Sequence, residues 1–361
     1  MLGFLDKVFL SFIERYVFNL CSVYLNMGLQ IGDIVPRKQV TFSELKGKTL
    51  AVDAFNALYQ FLTSIRQPDG MPLMDEKRRI TSHLSGLFYR TMALLYEGIR
   101  LIYVFDGEYS PLKGATQKQR QEAKDVAQEK YHEAVEAEDV DAMAKYVRGF
   151  VRLTGEMIVE SKELLEALGV AVVQAPSEGE MQCAELVKSG QAWAVASQDY
   201  DALAVGSPRL IQNMTLSKTR KTASGIIYIA PELIEYSKLL NELGITGDQL
   251  ICLAILVGTD YNPGGVKGIG PKKALALVRE KKYPVDIFRA IEERVDFDWS
   301  TVFEMFKKPQ VRAESVIFPA MNRDKIIEIL VERHDFSLER VQKQLDKLTE
   351  VKMKGAQQKL F

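Results

Sequence analysis

Aspartates and glutamates recur in this chain where apolar runs stop. Asp53 closes Leu50-Ala51-Val52, Asp106 closes Ile102-Tyr103-Val104-Phe105, and Glu178 and Glu180 follow Val170-Ala171-Val172-Val173. Asp199 and Asp201 follow Trp193-Ala194-Val195-Ala196, and Asp260 follows Ile255-Leu256-Val257-Gly258-Thr259. Apolar runs of this length read as buried strands of a parallel sheet, and ligands of an open α/β sheet bind beyond the strands' carboxyl ends. Seven carboxylates gathered there cannot all stay ionised without cations. Oxygen-only ligands suit hard ions, Mg²⁺ or Mn²⁺. Glu178-Gly179-Glu180 and Asp199-Tyr200-Asp201 are spaced i, i+2, which turns both acids of a pair to one side of an extended segment. Two ions ~3.5–4 Å apart stabilise the attacking and leaving oxygens of an in-line displacement. Phosphodiester hydrolysis fits.

Basic residues follow Asp106. Lys113 and Arg120 are seven residues apart, about two helical turns, so they share a face. Cations there could draw in a phosphate and offset transition-state charge. Glu122, Asp125 and Glu129 interleave, so a solvated helix face fits the spacing equally well. The run Gly264-Gly265-Val266-Lys267-Gly268-Ile269-Gly270-Pro271-Lys272-Lys273 opens a helix. Free N–H groups there, with Lys267, Lys272 and Lys273, suit a nucleic-acid phosphate. The run lacks the Gly-Lys-Ser/Thr of a nucleotide P-loop. Lys218-Thr219-Arg220-Lys221 reads as a solvated loop.

The elements that must position these groups alternate. A strand over Thr49–Phe55 runs into a helix over Ala57–Ile65, and a second helix is expected over Ser82–Tyr96 before the strand ending at Asp106. Residues Thr116–Leu168 lack proline and read as helical, with breaks near Asp139 and Gly149. Helices are also expected over Ala184–Ser189, Thr246–Val257, the end of Gly264–Arg279, and most of Tyr283–Glu350. Val351–Phe361 reads as a flexible basic tail. The fold class is therefore α/β, a mostly parallel central sheet flanked by helices.

Composition sets few limits. Charged residues are 26% and hydrophobic ones 47% of 361 residues, ordinary for a globular protein. A net charge of −1 leaves room for an acidic centre and basic surfaces that cancel in the sum. Three scattered cysteines and three histidines match no zinc spacing and no disulfide framework. Residues 1–26 are apolar and aromatic, but Asp6, Lys7, Glu14 and Arg15 interrupt them, so no membrane-spanning run of about 20 residues exists there. They also lack the marks of a signal or transit peptide. We read them as an extension ahead of a working start at Met27; Phe4, Leu5, Val8, Phe9, Phe12, Ile13 and Tyr16 fall at helical spacing, which leaves an amphipathic docking helix as the alternative.

The stretches AVDAFNALYQFL, TSHLSGLFYRT, YVFDG, APSEGEMQCAELVKSG, SQDYDALAVGSP and LVGTDYNPGGVKGIGPKKA resemble the flap endonucleases, structure-specific 5′ nucleases of replication and repair, particularly the archaeal kind. The resemblance covers most of Met27 to about Val278. It implies a Mg²⁺-dependent flap endonuclease and 5′–3′ exonuclease that cuts branched DNA in Okazaki fragment maturation and repair. It implies two Mg²⁺ per subunit, the first held by Asp53, Asp106, Glu178 and Glu180, the second by Asp199, Asp201 and Asp260. Lys113 and Arg120 match the basic pair at the foot of a helical arch. Tyr59 matches an aromatic that stacks on a base. Gly28, Arg66, Arg90 and Gly258 match DNA contacts, and Glu178 and Asp260 also face the substrate. The glycine-lysine run, with Lys267, Lys272 and Lys273, matches a helix–two-turn–helix element that grips duplex and holds K⁺. Gln357, Leu360 and Phe361 keep part of a sliding-clamp motif that normally ends in two aromatics.

The implied organisation is an extension at 1–26, an N-terminal nuclease region at 27–124, and an internal region at 125–285 carrying arch, cap and helix–two-turn–helix. A helical region at 286–350 and a clamp-binding tail at 351–361 follow. A cytoplasmic protein with no membrane partner is expected. Two other readings remain: a catalytically idle junction binder, which could tolerate missing ligands, and an aspartyl-phosphate phosphatase. The phosphatase would need Asp-x-Asp on the first strand, where Phe55 stands instead.

Overall fold

The structure is a computed structural model. It describes residues 29–67, 70–108, 113–137, 152–214, 219–222, 225–313 and 315–357, with 139, 142, 146 and 149 between. The extension at 1–26 and Gly28 lie outside the described residues. The first half runs β1 (Lys38–Gln39), α1 (Phe42–Leu45), β2 (Thr49–Asp53), α2 (Ala54–Ser64), α3 (Ser82–Tyr96), β3 (Arg100–Phe105) and α4 (Gly114–Glu136). Next come α5 (Gly155–Ala167), β4 (Ala171–Gln174), α6 (Gly179–Lys188), β5 (Ala194–Ala196), α7 (Asp201–Ala204), β6 (Arg209–Gln212), β7 (Thr219–Thr222), β8 (Gly225–Tyr228) and β9 (Glu232–Glu235). The remainder is helical: α8 (Tyr236–Leu243), α9 (Gly247–Val257), α10 (Pro271–Glu280), α11 (Pro284–Arg289), α12 (Trp299–Lys307), α13 (Arg323–Ile327) and α14 (Leu338–Gln357).

Seven strands form one sheet in the order β1-β9-β6-β5-β2-β3-β4. From β6 to β4 all neighbours are parallel; β9 and β1 extend the edge antiparallel. The chain winds outward from β2 through β3 to β4, then crosses back to β5 on β2's other side. The strand order therefore reverses between β2 and β5, where α/β sheets open a binding crevice. Both faces are covered. One core packs Ala51, Ile102, Val104 and Val195 against α6, α7 and the largely apolar α9; the other packs Leu50, Leu101, Tyr103 and Phe105 against α2, α3 and α14.

Several expectations change in detail. The helix Ser82–Tyr96 and the strands before Asp53, Asp106 and Asp199 are where the pattern put them. The run before Asp260 is the end of buried helix α9, as the helix expected over Thr246–Val257 required, and not one of the strands the acids were expected to follow. Its length and its Thr246 capping box, closed by Gln249, favour a helix. Thr219–Thr222 is not a solvated loop but one strand of a two-stranded antiparallel hairpin with β8; Lys218 lies outside the described residues. Residues 351–357, expected to be a flexible tail, continue α14. Val341, Leu345 and Leu348 anchor that helix on the core, and elongation past an anchored turn costs little. Among the described residues no single helix is long and apolar enough to cross a membrane; the apolar pair α8 and α9 bends by 80°, and α9 is buried.

Candidate active site

The acids collect at the carboxyl edge of the parallel strands. Asp53 ends β2 and caps α2, its Oδ1 accepting from the Asn56 amide N–H at 3.0 Å. Asp106 follows β3, and its Oδ1 accepts from the Gly179 N–H at 2.7 Å. A Cβ at residue 179 would stand 2.7 Å from that oxygen and 3.1 Å from the Val104 carbonyl, so the close approach needs glycine. Glu178 holds the N-cap position of α6 without a side-chain cap bond, and Glu180 lies in its first turn. Asp199 follows β5 and Asp201 begins α7. Asp260 sits in the turn after α9. That turn begins at Gly258, whose φ of 117° suits glycine. Asn262 pins it, its Oδ1 accepting from Thr259 Oγ1 at 2.7 Å.

The two i, i+2 pairs are not on extended backbone as expected. Both sit where a chain turns into a helix, and N-terminal turns offer free N–H groups and positive dipole ends to carboxylates. Burial and the Asp106 charge push the Asp53 carboxyl up to about 8. Burial, then Asp260 and Asp199, push Asp201 up to about 8. Burial, then Asp201, Asp199 and Asp53, raise Glu180 well above the usual carboxylate range. The acids thus repel one another in a half-buried cleft.

Lys113 answers part of that charge. Its ammonium lies 2.9 Å from Glu178 Oε2 and 3.1 Å from Asp260 Oδ2. Burial alone would lower its pKa, but those two carboxylates outweigh it and hold the amine protonated. Its ammonium also stands 5.3 Å from the centre of the Tyr261 ring. Among the described residues no three of the acids stand close enough to hold one ion as they are; Lys113 occupies the gap between two of them. The donor set nevertheless fits a hard cation. It is all oxygen, and Glu178 Oε1 and Asp201 Oδ1 are buried with no hydrogen-bond partner, which is costly for an anionic oxygen.

The other expected residues spread outward from this centre. Arg120 is on α4, two turns beyond Lys113; its side chain lies outside the described residues. Tyr59 is 37% exposed on α2, and the Lys124 ammonium from α4 sits 5.6 Å from its ring centre. Arg90 lines a cavity of about 70 Å³ shared with Asp53, Asn56, Gln60 and Gln198. Arg66 stands apart: its guanidinium donates to the Leu62, Thr63 and Gly70 carbonyls at 2.9–3.0 Å, closing the end of α2. Lys267, Lys272 and Lys273 surround the start of α10, where Pro271 takes the first helical position. Gln357 ends α14; Leu360 and Phe361 lie outside the described residues.

Three residues at the site escaped sequence reasoning. Asn56 Nδ2 donates to Asp199 Oδ2 at 2.6 Å. Ser197 Oγ donates to Glu180 Oε1 at 3.2 Å and accepts from the Asp199 N–H at 3.1 Å. The Tyr261 hydroxyl is buried against Glu178, and burial, then the Glu178 charge, raise its pKa. Ser197 lies two residues before Asp199, a short-range signal that could have been read. Asn56 and Asp199 are 143 residues apart, and nothing local links them.

Residues 29–127 match the XPG N-terminal domain and residues 169–260 the XPG I-region. The chain is 49% identical to flap endonuclease 1 of Hyperthermus butylicus, covering 89% of this chain and 94% of that one. It is 46% identical to flap endonuclease 1 of Pyrococcus furiosus, covering 92% and 98%. Among solved structures, flap endonuclease-1 from Methanococcus jannaschii superposes with a TM-score of 0.70 at 44% identity, covering 90% of this chain and 98% of that one. The catalytic core of Rad2, at 24% identity and a TM-score of 0.66, shares the fold.

Proposed function

The chain belongs to the flap endonucleases of the XPG nuclease family, and from that premise we propose how its own residues cut branched DNA. It is a metal-dependent nuclease of replication and repair that hydrolyses phosphodiester bonds. The single observation that carries the residue assignment is the convergence of seven acids on one sheet edge with two of their oxygens buried and unpaired.

Asp53, Asp106, Glu178 and Glu180 would hold one divalent ion, and Asp199, Asp201 and Asp260 a second, Mg²⁺ in both cases. When bound, the pair supplies Lewis acidity at the phosphorus and a water activated for attack. The protein's own groups do the rest. Asn56, Ser197 and the Gly179 amide fix carboxylate orientation. Lys113, with Arg120 two turns along α4, offers positive charge to the scissile phosphate as negative charge builds in the transition state. Tyr59 would offer a ring face to a base, and Arg90 and Gly258 would contact the backbone of a bound strand. Arg66, whose donors already serve the Leu62, Thr63 and Gly70 carbonyls, would act by holding the turn that follows α2.

The lysines and free amides at the start of α10 suit phosphates of the duplex without reading sequence. A potassium ion there stays part of the proposal; the Lys267 and Gly268 carbonyls, which accept from Arg294 and Lys273, would not be its ligands. The tail, through Gln357, Leu360 and Phe361, is proposed to dock on a sliding clamp. No feature favours the idle junction binder, since none of the seven acids is missing. The test is a labelled double-flap DNA. Cleavage at the junction with Mg²⁺ and none with chelator is expected; chelator-resistant cleavage overturns the metal assignment.

A further inference from the structure

Asn56 makes two bonds that fall on different halves of the proposed metal centre. Its backbone N–H donates to Asp53 Oδ1 at 3.0 Å and its side-chain Nδ2 donates to Asp199 Oδ2 at 2.6 Å. Asp53 belongs to the first proposed ligand set and Asp199 to the second. The amide orientation follows from chemistry, because a carboxylate can only accept and the amide oxygen turned toward it would repel. Asn56 is the third residue of α2 and sits above the β2–β5 neighbourhood, where Val52 pairs with Ala196. Its position is therefore set by a helix first turn on one strand and read by a carboxylate that follows the adjacent strand.

We propose that Asn56 is a positioning residue that fixes the Asp199 carboxylate relative to Asp53, and so sets the affinity of the second metal site. The inference rests on the two-ion reading above. Two features separate this role from general packing. The backbone bond to Asp53 survives any side-chain change, so the first set keeps its anchor. The side-chain bond is to the Asp199 carboxylate itself, so its loss reaches the second set directly. Partners that orient metal ligands in this way are worth about 10–100-fold in metal affinity.

The experiment uses the full chain without DNA and counts bound Mn²⁺ by electron paramagnetic resonance. The unaltered protein should take up two ions. Asn56→Leu and Asn56→Ala should each keep one site within about twofold and weaken the other about 10–100-fold. Their melting temperatures in chelator should stay near that of the unaltered protein, and the Mg²⁺ concentration for half-maximal cleavage should rise while flap-DNA affinity in chelator holds. Two sites of unchanged affinity in both variants overturn this inference alone, as does equal weakening of both sites. An unaltered protein that binds fewer than two ions overturns the two-ion reading and this inference with it.

Discussion

Replacing Asp201 with asparagine should stabilise the metal-free protein while disabling it. Asp201 Oδ1 is buried without a partner, and burial with Asp260 and Asp199 lifts its carboxyl from 3.8 to about 8. Well below pH 4 the group is protonated both folded and unfolded, and it costs nothing. As pH rises, the unfolded chain ionises first, so folding must take up a proton and stability falls until the folded group also ionises near 8. At pH 7 the solution lies about three pH units above the unfolded value of 3.8. Each unit is worth about 1.36 kcal/mol, giving a ceiling of about 4 kcal/mol. The carboxyl keeps a path to solvent and its neighbours can relax, so about 2 kcal/mol is the expected gain.

Asp201→Asn preserves shape and removes the ionisation. In chelator at pH 7 its melting temperature should exceed that of the unaltered protein by roughly 3 °C. The gap should close as pH is lowered toward 4. Adding Mg²⁺ should reverse the order, because a ligand at about 100 times its dissociation constant adds about 2.7 kcal/mol to the form that binds it. The assay is a pair of thermal melts across pH, with and without the ion. A variant that melts at or below the unaltered protein in chelator at pH 7 refutes the reasoning, as does a gap indifferent to pH.

Other perturbations separate the remaining roles. Glu178→Ala or Asp199→Ala should abolish measurable cleavage yet keep flap binding in a gel-shift assay; near-normal cleavage by either would remove it from the ligand set. Lys113→Ala should lower the single-turnover rate about 10²–10³-fold with affinity little changed. If instead only affinity falls, with the salt slope reduced by about one, Lys113 is a phosphate clamp. Truncation after residue 356 should leave cleavage of a flap intact and remove stimulation by the clamp, measured in paired turnover assays.

The parallel strands and the acids were legible because both signals are local. A buried strand must be apolar on both faces, and the acid that ends it falls at the crevice by topology alone. The antiparallel extension was not legible. β9 is four residues of Glu-Leu-Ile-Glu, too short and too polar at its ends to announce itself. β7, rich in basic residues, reads as loop until its partner β8 is known. Helix extents were harder still: Glu178-Gly179-Glu180 has the spacing of a strand pair but turns into α6, because Gly179 must approach Asp106. The pairing of Asn56 with Asp199 and of Lys113 with Glu178 and Asp260 depends on which strands become neighbours, and no run of residues encodes that locally.

The placement of the acids at helix starts bears on how Lys113 works. Asp53, Glu178, Glu180 and Asp201 each lie in or beside a first turn, where a helix dipole stabilises an anion by about 0.3–1 kcal/mol. That is too little to offset carboxyls raised to about 8 at Asp53 and Asp201. The metal-free cleft therefore needs a cation, and Lys113 supplies one by bridging Glu178 and Asp260. The proposed role asks the same ammonium to meet the scissile phosphate. Divalent ions bound by the acids would neutralise Glu178 and Asp260 and weaken their hold on Lys113, so metal occupancy and release of Lys113 toward DNA are coupled by the same charges. Under that proposal, a lysine held this way would answer the substrate only after the acids had bound their ions.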